Sequence, residues 1–310
     1  MNDRQDPYSV SVIVTTYNRA PFLRKCLQEV MQLRYPSFEV LVVDGPSTDE
    51  TEEVLEDFPE VHRFKTESRN ISMSRNIGLR AARGEVAAFV DDDAEVPPDW
   101  LHSLTQCFED ARTGGVGGVV RGEGDRIDFA NGVVDLYGRI RAYRPTPGHY
   151  NDPAGPLFNS VMGTNCAFRR SALFEIGLFD ENYDYYHDEA DVCLRMIRAG
   201  WRIRHCPRAS VLHRSAPGPN RQARLDINWY PVVKNTVYFA LNYHPVSGWR
   251  DLSAVTVIGW TRWLELTRWC LSGKIGARLY LRSLRLAASG MLEGIRRGRQ
   301  RRRDEDEATQ

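Results

Sequence analysis

The sequence has no excess of either charge, since basic and acidic residues number 41 each in a chain of 310. This balance provides no overall attraction to nucleic acid, and we expect no nucleic-acid partner. The chain also lacks any uncharged apolar run of about 18 residues, the length that a membrane-spanning helix needs. The first residues contain no apolar segment of the secretory type. From these absences we expect a cytoplasmic protein without a membrane-spanning helix.

Cysteine pairs with the CxxC spacing of zinc and redox sites are missing as well. The six cysteines are scattered, and most lie within apolar patterns: Cys26, Cys107, Cys166, Cys193, Cys206 and Cys270. We therefore expect reduced cysteines that belong to the core.

Apolar strand patterns alternate with helical patterns through the first 120 residues. The runs at 9–15, 38–43 and 86–90 are rich in valine and isoleucine, and helical spacing of apolar residues follows the first two of them. This alternation predicts an α/β fold with a mainly parallel sheet flanked by helices. Ligands bind at the carboxyl ends of such strands. Polar residues stand at all three ends, at 15–19, 44–47 and 91–93.

Three consecutive carboxylates, Asp91, Asp92 and Asp93, follow the strand at 86–90. Because like charges this close repel one another, a site that keeps them ionised usually contains a cation. Oxygen ligands favour Mg²⁺ or Mn²⁺, which could also bind a diphosphate. On this motif alone, a solvated acidic turn before the helix at Pro97 remains an alternative interpretation.

Several motifs in order along the chain resemble family 2 of the glycosyltransferases. They cover roughly residues 9–215 and comprise VIVTTYNR at 12–19, VVDGPSTD at 42–49, SRNIGL at 74–79, GEVAAFVDDD at 84–93, GLFDE at 177–181 and DEADVCLR at 188–195. The ordered set is more specific than any one of these motifs.

The resemblance implies a GT-A, Rossmann-like fold and an inverting transfer of a sugar from a nucleotide-diphosphate donor, of which UDP-sugars are the most common. It implies a Mg²⁺ or Mn²⁺ site at Asp91, Asp93 and His213, although a lone histidine can also be an ordinary polar residue. It also implies donor contacts, which we assign to Thr15, Tyr17, Arg19, Asp44, Arg75 and Asp92.

A second acidic cluster lies at 188–191. The family more often has Glu-Asp here, with the second acid as general base, whereas this chain has Asp-Glu. Glu189 occupies the place of the second acid, which favours it as the general base, and Asp188 remains the alternative. Asp188 could instead cap a helix, and Asp191 could pair with Arg195 four residues later.

For the acceptor side we predict contacts from Asn165 and Asp191, with a structural turn as the alternative for Asn165. The expected acceptor is a glycan or a lipid-linked sugar.

A nucleotidyltransferase is less well supported, because residues 15–22 contain no glycine-rich loop for a triphosphate. A non-catalytic nucleotide-sugar-binding protein would not need both acidic clusters.

The expected domain layout has a GT-A catalytic domain at 1–225, with a nucleotide-sugar half at about 9–120 and an acceptor half at about 121–225. A helical extension at 226–295 and a charged, disordered tail at 296–310 follow. Tryptophans and leucines at 255–271, with arginines at 278–286, suggest contact with the inner face of the plasma membrane. Packing on the catalytic domain and a homodimer contact are the alternatives.

Overall fold

A computed structural model describes residues 8–130, 132–142, 150–218, 220–223, 225–244 and 249–309. The chain forms two compact units. The first contains the residues up to Val134 together with Ile140–Glu181 and Glu189–Ala216, and the second contains Asp135–Arg139, Asn182–Asp188 and Pro217–Gln310. The second unit therefore begins earlier than the boundary after 225 that the sequence predicts, and it includes two short segments from within the predicted catalytic domain.

The first unit consists of strands and helices that alternate in its amino-terminal half. Its strands are β1 (Val10–Thr16), β2 (Phe38–Asp44), β3 (His62–Lys65), β4 (Val86–Asp91), β5 (Ala94–Glu95), β6 (Thr113–Arg121), β7 (Ile127–Phe129), β8 (Gly132–Asp135), β9 (Ile140–Ala142), β10 (Leu157–Ser160), β11 (Asn165–Arg169) and β12 (Arg202–His213). Its helices are α1 (Ala20–Val30), α2 (Thr51–Glu56), α3 (Ile71–Ala81), α4 (Trp100–Thr105), α5 (Arg170–Glu175) and α6 (Asp188–Arg198).

The main sheet has nine strands within the described residues, and eight of them follow the order β3-β2-β1-β4-β11-β6-β12-β5, with β7 beside β6. Strands β1 to β4 are parallel, whereas β11 runs antiparallel to β4 and β6. Thr15 lies opposite Asp91, and Thr16 lies opposite Asp44, so the carboxyl ends of three strands are aligned. The predicted α/β class with a mainly parallel sheet is confirmed.

Helix α1 shows how the sequence pattern produces the core. Leu23, Cys26, Leu27 and Val30 repeat every three or four residues, and all are buried against the sheet cluster that includes Val12 and Val42. Burying an aliphatic side chain of this size stabilises the fold by about 1.5–3 kcal/mol. The helix therefore fixes the β1–α1 turn, where Arg19 lies.

Two expectations for the first unit need correction. Residues 122–156, predicted as long loops, contain the short strands β7 to β9, and the stretch 143–149 lies outside the described residues. Cys107 and Cys206, expected to be reduced, form a disulfide between the segment that follows α4 and β12. The two cysteines are 99 residues apart in sequence, and β12 brings them together, so local patterns gave no sign of the pair.

The second unit is mainly helical, as the sequence predicts. It contains the short strands β13 (Arg221–Ala223) and β14 (Asp226–Ile227) and the helices α7 (Trp229–Tyr243), α8 (Trp249–Leu271) and α9 (Ala277–Thr309). The predicted disordered tail is instead helical, because α9 continues to Thr309. Glu293 accepts hydrogen bonds from Arg296 and Arg297. These bonds offset the repulsion among the arginines that the composition of the tail suggests. Among the described helices, none combines the length and the apolar character needed to cross a bilayer.

Candidate active site

The carboxylates after β4 meet a histidine from the far end of the sheet. Strand β5 pairs with β12 so that His213 lies opposite Ala94, directly after the acidic run. One ligand atom from each of Asp91, Asp93 and His213 lies within 4.8 Å of the other two. The structure thus brings together the three residues that the sequence assigns to a metal.

The donor set of this cluster fits a divalent cation. His213 Nε2 lies 3.3 Å from Asp93 Oδ1, and no other group of the described residues serves that buried oxygen as a hydrogen-bond donor. Burial alone would raise the pKa of Asp93, but His213, Arg19 and the Ala216 amide outweigh it and lower the pKa. Two carboxylates and an imidazole are ligands that Mn²⁺ accepts, and Mg²⁺ favours the oxygens.

Asp92, the middle acid, faces a different set of groups. Its carboxylate accepts hydrogen bonds from Thr16 Oγ1 at 2.8 Å and Arg19 Nη1 at 2.9 Å, and Arg19 Nη2 also donates to the Ala216 carbonyl at 3.0 Å. Burial raises the pKa of Asp92 to about 7, although Arg19 partly offsets that effect. Asp92 and Arg19 therefore brace the β1–α1 turn against β4, and their contact with the donor stays a prediction.

The second acidic cluster begins helix α6. Glu189 Oε1 accepts a hydrogen bond from Arg75 Nη1 at 2.8 Å. The Arg75 guanidinium lies 5.6 Å from the ring centre of Phe89 and 5.4 Å from that of Phe179, so its position is fixed by packing. The sequence places Arg75 at the ribose or phosphates, whereas the structure pairs it with the predicted base.

The segment between β10 and β11 connects the two acidic sites. Thr164 Oγ1 donates to Asp91 Oδ2 at 2.5 Å. At the preceding residue, Gly163, a Cβ atom would overlap both Glu189 Oε1 and Arg75 Nη2, so only glycine leaves room for the ion pair. The sequence of this segment drew attention to Asn165 and gave no sign of the roles of Gly163 and Thr164.

Asn165 and Asp191, both predicted to contact the acceptor, are completely buried. Asn165 Nδ2 donates to the Val119 and Ala209 carbonyls, and Asn165 Oδ1 accepts from Trp100 Nε1 at 2.9 Å. These bonds hold β11, β6 and β12 together. Asp191 accepts from Arg195 Nε at 2.7 Å on the same helix. The printed hydrogen bonds of both residues thus lie within the protein interior, and their contact with an acceptor stays a prediction.

The remaining predicted donor contacts lie along the edge formed by β1 and β2. Asp44 ends β2 and accepts from Ser47 Oγ at 2.6 Å, while burial raises the pKa of its carboxyl. The ring of Tyr17 lies 4.7 Å below the Arg69 guanidinium. Thr15 lies opposite Asp91 in the sheet. This edge therefore presents a carboxylate and an aromatic ring beside the acidic cluster.

Comparison with known proteins agrees with this arrangement. The family model described as glycosyl transferase family 2 matches residues 11–177. The glucosyl-dolichyl phosphate glucuronosyltransferase of Haloferax volcanii is 28% identical over 227 residues, covering 66% of this chain and 69% of that protein. The N-acetylglucosaminyl-diphospho-decaprenol L-rhamnosyltransferase of Mycobacterium tuberculosis is 26% identical over 298 residues, covering 87% and 91%. The match to the putative glycosyltransferase EpsH of Bacillus subtilis, 32% identical over 106 residues, covers 33% of this chain and only 31% of that protein.

Solved structures show the same fold. The mannosyltransferase PcManGT from Pyrobaculum calidifontis, in complex with GDP-Man and Mn²⁺, has a TM-score of 0.59 at 20% identity and covers 94% of this chain and 87% of that one. S. aureus TarS in complex with UDP-GlcNAc has a TM-score of 0.53 at 18% identity and covers 81% and 70%. The predicted GT-A fold is confirmed. Because the family model matches more than half of its length, this chain belongs to glycosyl transferase family 2.

Proposed function

We propose that this chain transfers a sugar from a nucleoside-diphosphate sugar to an acceptor hydroxyl, with inversion at the anomeric carbon. The observation that carries the proposal is the cluster of Asp91, Asp93 and His213 at the end of β4. Gly163 and Thr164 connect this cluster to Glu189, so a site for a diphosphate and a site for a base lie on either side of one short segment.

Asp91, Asp93 and His213 would hold the cation. A cation bound there, Mn²⁺ or Mg²⁺, would act as a Lewis acid toward the diphosphate leaving group. Thr164 fixes the orientation of Asp91, and the Ala216 amide donates to Asp93 Oδ2 at 2.8 Å. Because these partners already determine how both carboxylates point, the ligand set needs little rearrangement.

We assign the role of general base to Glu189. An inverting transfer needs one carboxylate to accept the proton of the attacking hydroxyl and needs no covalent nucleophile on the enzyme. The Glu189 side chain is 18% exposed, whereas Asp188 is buried. Arg75 donates a hydrogen bond to Oε1 of Glu189, and this bond orients the carboxylate.

For the donor we propose a UDP-sugar, with the nucleotide along the edge that carries Thr15, Tyr17 and Asp44. The solved structures of PcManGT and TarS contain GDP-Man and UDP-GlcNAc, which supports the nucleotide-sugar class. For the acceptor we propose a lipid-linked sugar. The printed names of the haloarchaeal and mycobacterial relatives specify a dolichyl phosphate and a diphospho-decaprenol, and these names support the choice.

A transfer assay with a panel of nucleotide sugars tests the base. Replacing Glu189 with Gln keeps the shape and removes the proton acceptor, so kcat should fall by about 10²–10⁴ while nucleotide affinity stays near wild type. Asp188→Asn is the matched control and should retain most of the activity. A large loss for Asp188→Asn with Glu189→Gln nearly active would transfer the role to Asp188.

The cation is tested without turnover, by thermal shift. UDP with Mn²⁺ should raise Tm by mass action, and UDP with a chelator should raise it much less. Asp93→Asn should remove the difference between the two conditions. Equal shifts with and without the metal, or full transfer activity in a chelator, would contradict the assignment.

A further inference from the structure

Helix α8 exposes a continuous apolar strip. Val257, Trp260, Leu264 and Leu271 share one side of the helix and are exposed, with Trp260 at 59% and Leu271 at 84%. Trp263, at 41%, lies beside them, and its ring centre is 5.0 Å from that of Trp260. Two neighbouring indoles in water form a patch that would gain free energy by leaving it.

The exposed strip of α8 is not needed for packing within the second unit. The other side of α8 contributes Val255, Ile258 and Leu266 to a buried cluster, which also contains residues of α7 and α9. The helix is therefore already held in place by one face. The tryptophans on the opposite face remain available to a partner.

Positive charge is also exposed on the second half of α8 and on the start of α9. Within residues 262–285 the only acid is Glu265, which pairs with Arg262 at 2.8 Å, while Arg268 and Lys274 are exposed. On α9, an exposed leucine at 281 lies among three exposed arginines on one side of the helix, at positions 278, 282 and 285. Arg282 also lies 3.3 Å from Asp226.

We propose that the exposed face of α8, together with these α9 arginines, binds the surface of an anionic lipid bilayer. Indole rings favour the boundary between hydrocarbon and headgroups, and exposed arginines attract anionic headgroups. A second copy of the chain fits less well. A symmetric contact through the same patch would bring the arginines of both copies together, and like charges repel.

Lipid binding requires no donor or acceptor, so its test is separate from that of transfer. The full chain is sedimented with vesicles of phosphatidylcholine, with and without phosphatidylglycerol. We expect binding to the anionic vesicles that is lost at high salt. The double variant Trp260→Ala, Trp263→Ala should weaken binding by about tenfold or more because the exposed indoles supply the apolar area. Arg278→Gln and Arg285→Gln should each weaken it about fivefold.

The matched control is Phe174→Ala on α5. Phe174 is 42% exposed and lies under Arg170, so it is another surface aromatic beside an arginine, but in the first unit. Its replacement should leave vesicle binding unchanged. The proposal is overturned if the intact protein does not bind anionic vesicles, or if the double tryptophan variant binds them as well as the intact protein does. Loss of a dimer in sedimentation velocity, without vesicle binding, would make the patch a self-association surface instead.

Discussion

Gly163 is the residue at which the smallest change has the largest expected effect on the site. A methyl group there would overlap the ends of the Glu189 and Arg75 side chains rather than any backbone atom. Both side chains can move, so the backbone can keep its course. Their hydrogen bond, now 2.8 Å, would be broken or redirected.

We therefore predict that Gly163→Ala lowers kcat by about 10²-fold with little change in nucleotide affinity, since displacing a catalytic group by about 1 Å costs that much. Steady-state kinetics and a thermal melt measure both parts. Gly155→Ala is the control, because its added Cβ would have no contact closer than 3.2 Å. Full activity in Gly163→Ala would show that the ion pair does not orient the base.

The sequence predicts individual residues well where chemistry alone selects them. Asp91 and Asp93 stand out as potential ligands by their chemistry, the family resemblance adds His213, and the structure brings the three together. Gly163 could not be selected in this way, because its role depends on two side chains that reach it from α3 and α6. The hydrogen bonds of Asn165 could not be predicted for a related reason: only the neighbouring strands reveal that its amide donates within the sheet.

Among the helices, α7 and α9 pack with their backbones close together. Gly290, Gly294 and Gly298 recur every fourth residue and so lie on one face of α9. A Cβ at Gly294 would come within 2.5 Å of the Lys234 carbonyl and 2.9 Å of Val237 Cβ. Because a carbonyl cannot rotate away as a side chain can, one helix would have to shift.

We predict that Gly294→Ala lowers the free energy of unfolding by about 1–3 kcal/mol, the usual cost of overfilling a packed contact. Gly276→Ala is the matched control, since its Cβ would enter open space. It should be neutral or stabilising by up to about 1 kcal/mol, because alanine has fewer unfolded conformations. Urea denaturation followed by circular dichroism measures both changes. Equal stabilities for the two variants would contradict the close packing of α7 and α9.

The sequence predicts the strands and most helices because their periodicity is local. The end of α9 is different. Its run of arginines and acids suggests a solvated tail, yet Arg302 donates to the Leu241 carbonyl and Arg301 to Tyr238 Oη at 3.4 Å, both on α7. Charge composition carries no information about such long-range partners. The same limit explains why the short strands β7 to β9 were expected to be loops.

The stability of the protein in acid should depend in part on the buried side chain of His187. His187 lies in the second unit, and its Nε2 is 3.1 Å from Thr236 Oγ1. Burial, with a smaller effect from Arg262, lowers the pKa of His187 to about 3. The ordinary pKa is 6.5, so below that pH the unfolded chain binds a proton that the folded protein does not. Stability should therefore fall as pH decreases from 6.5 toward 3.

We predict that His187→Asn flattens this dependence by up to about 1.4 kcal/mol per pH unit. Asparagine suits the positive φ of 69° at this position and does not titrate. The variant can be less stable at neutral pH, so the slope of stability against pH is compared rather than its value. Denaturation curves at several pH values provide that slope. Parallel slopes for both proteins would mean that His187 is protonated in the fold.

The fold class and the family were within reach of the sequence because they rest on ordered motifs and strand–helix alternation. The division into two units could not be predicted in this way. Its contacts assign Asn182–Asp188 to the second unit, most of which lies further along the chain. The disulfide between Cys107 and Cys206 was missed for the same reason.

Gly163 and Thr164 are consecutive residues, and each contacts a different acidic site. Under the proposed function, one peptide bond sets the distance between the leaving group and the base. Surrounding loops can change to admit a different acceptor while that reaction distance is preserved. An insertion between these two residues would therefore change the distance between the cation site and the base, and would disturb both at once.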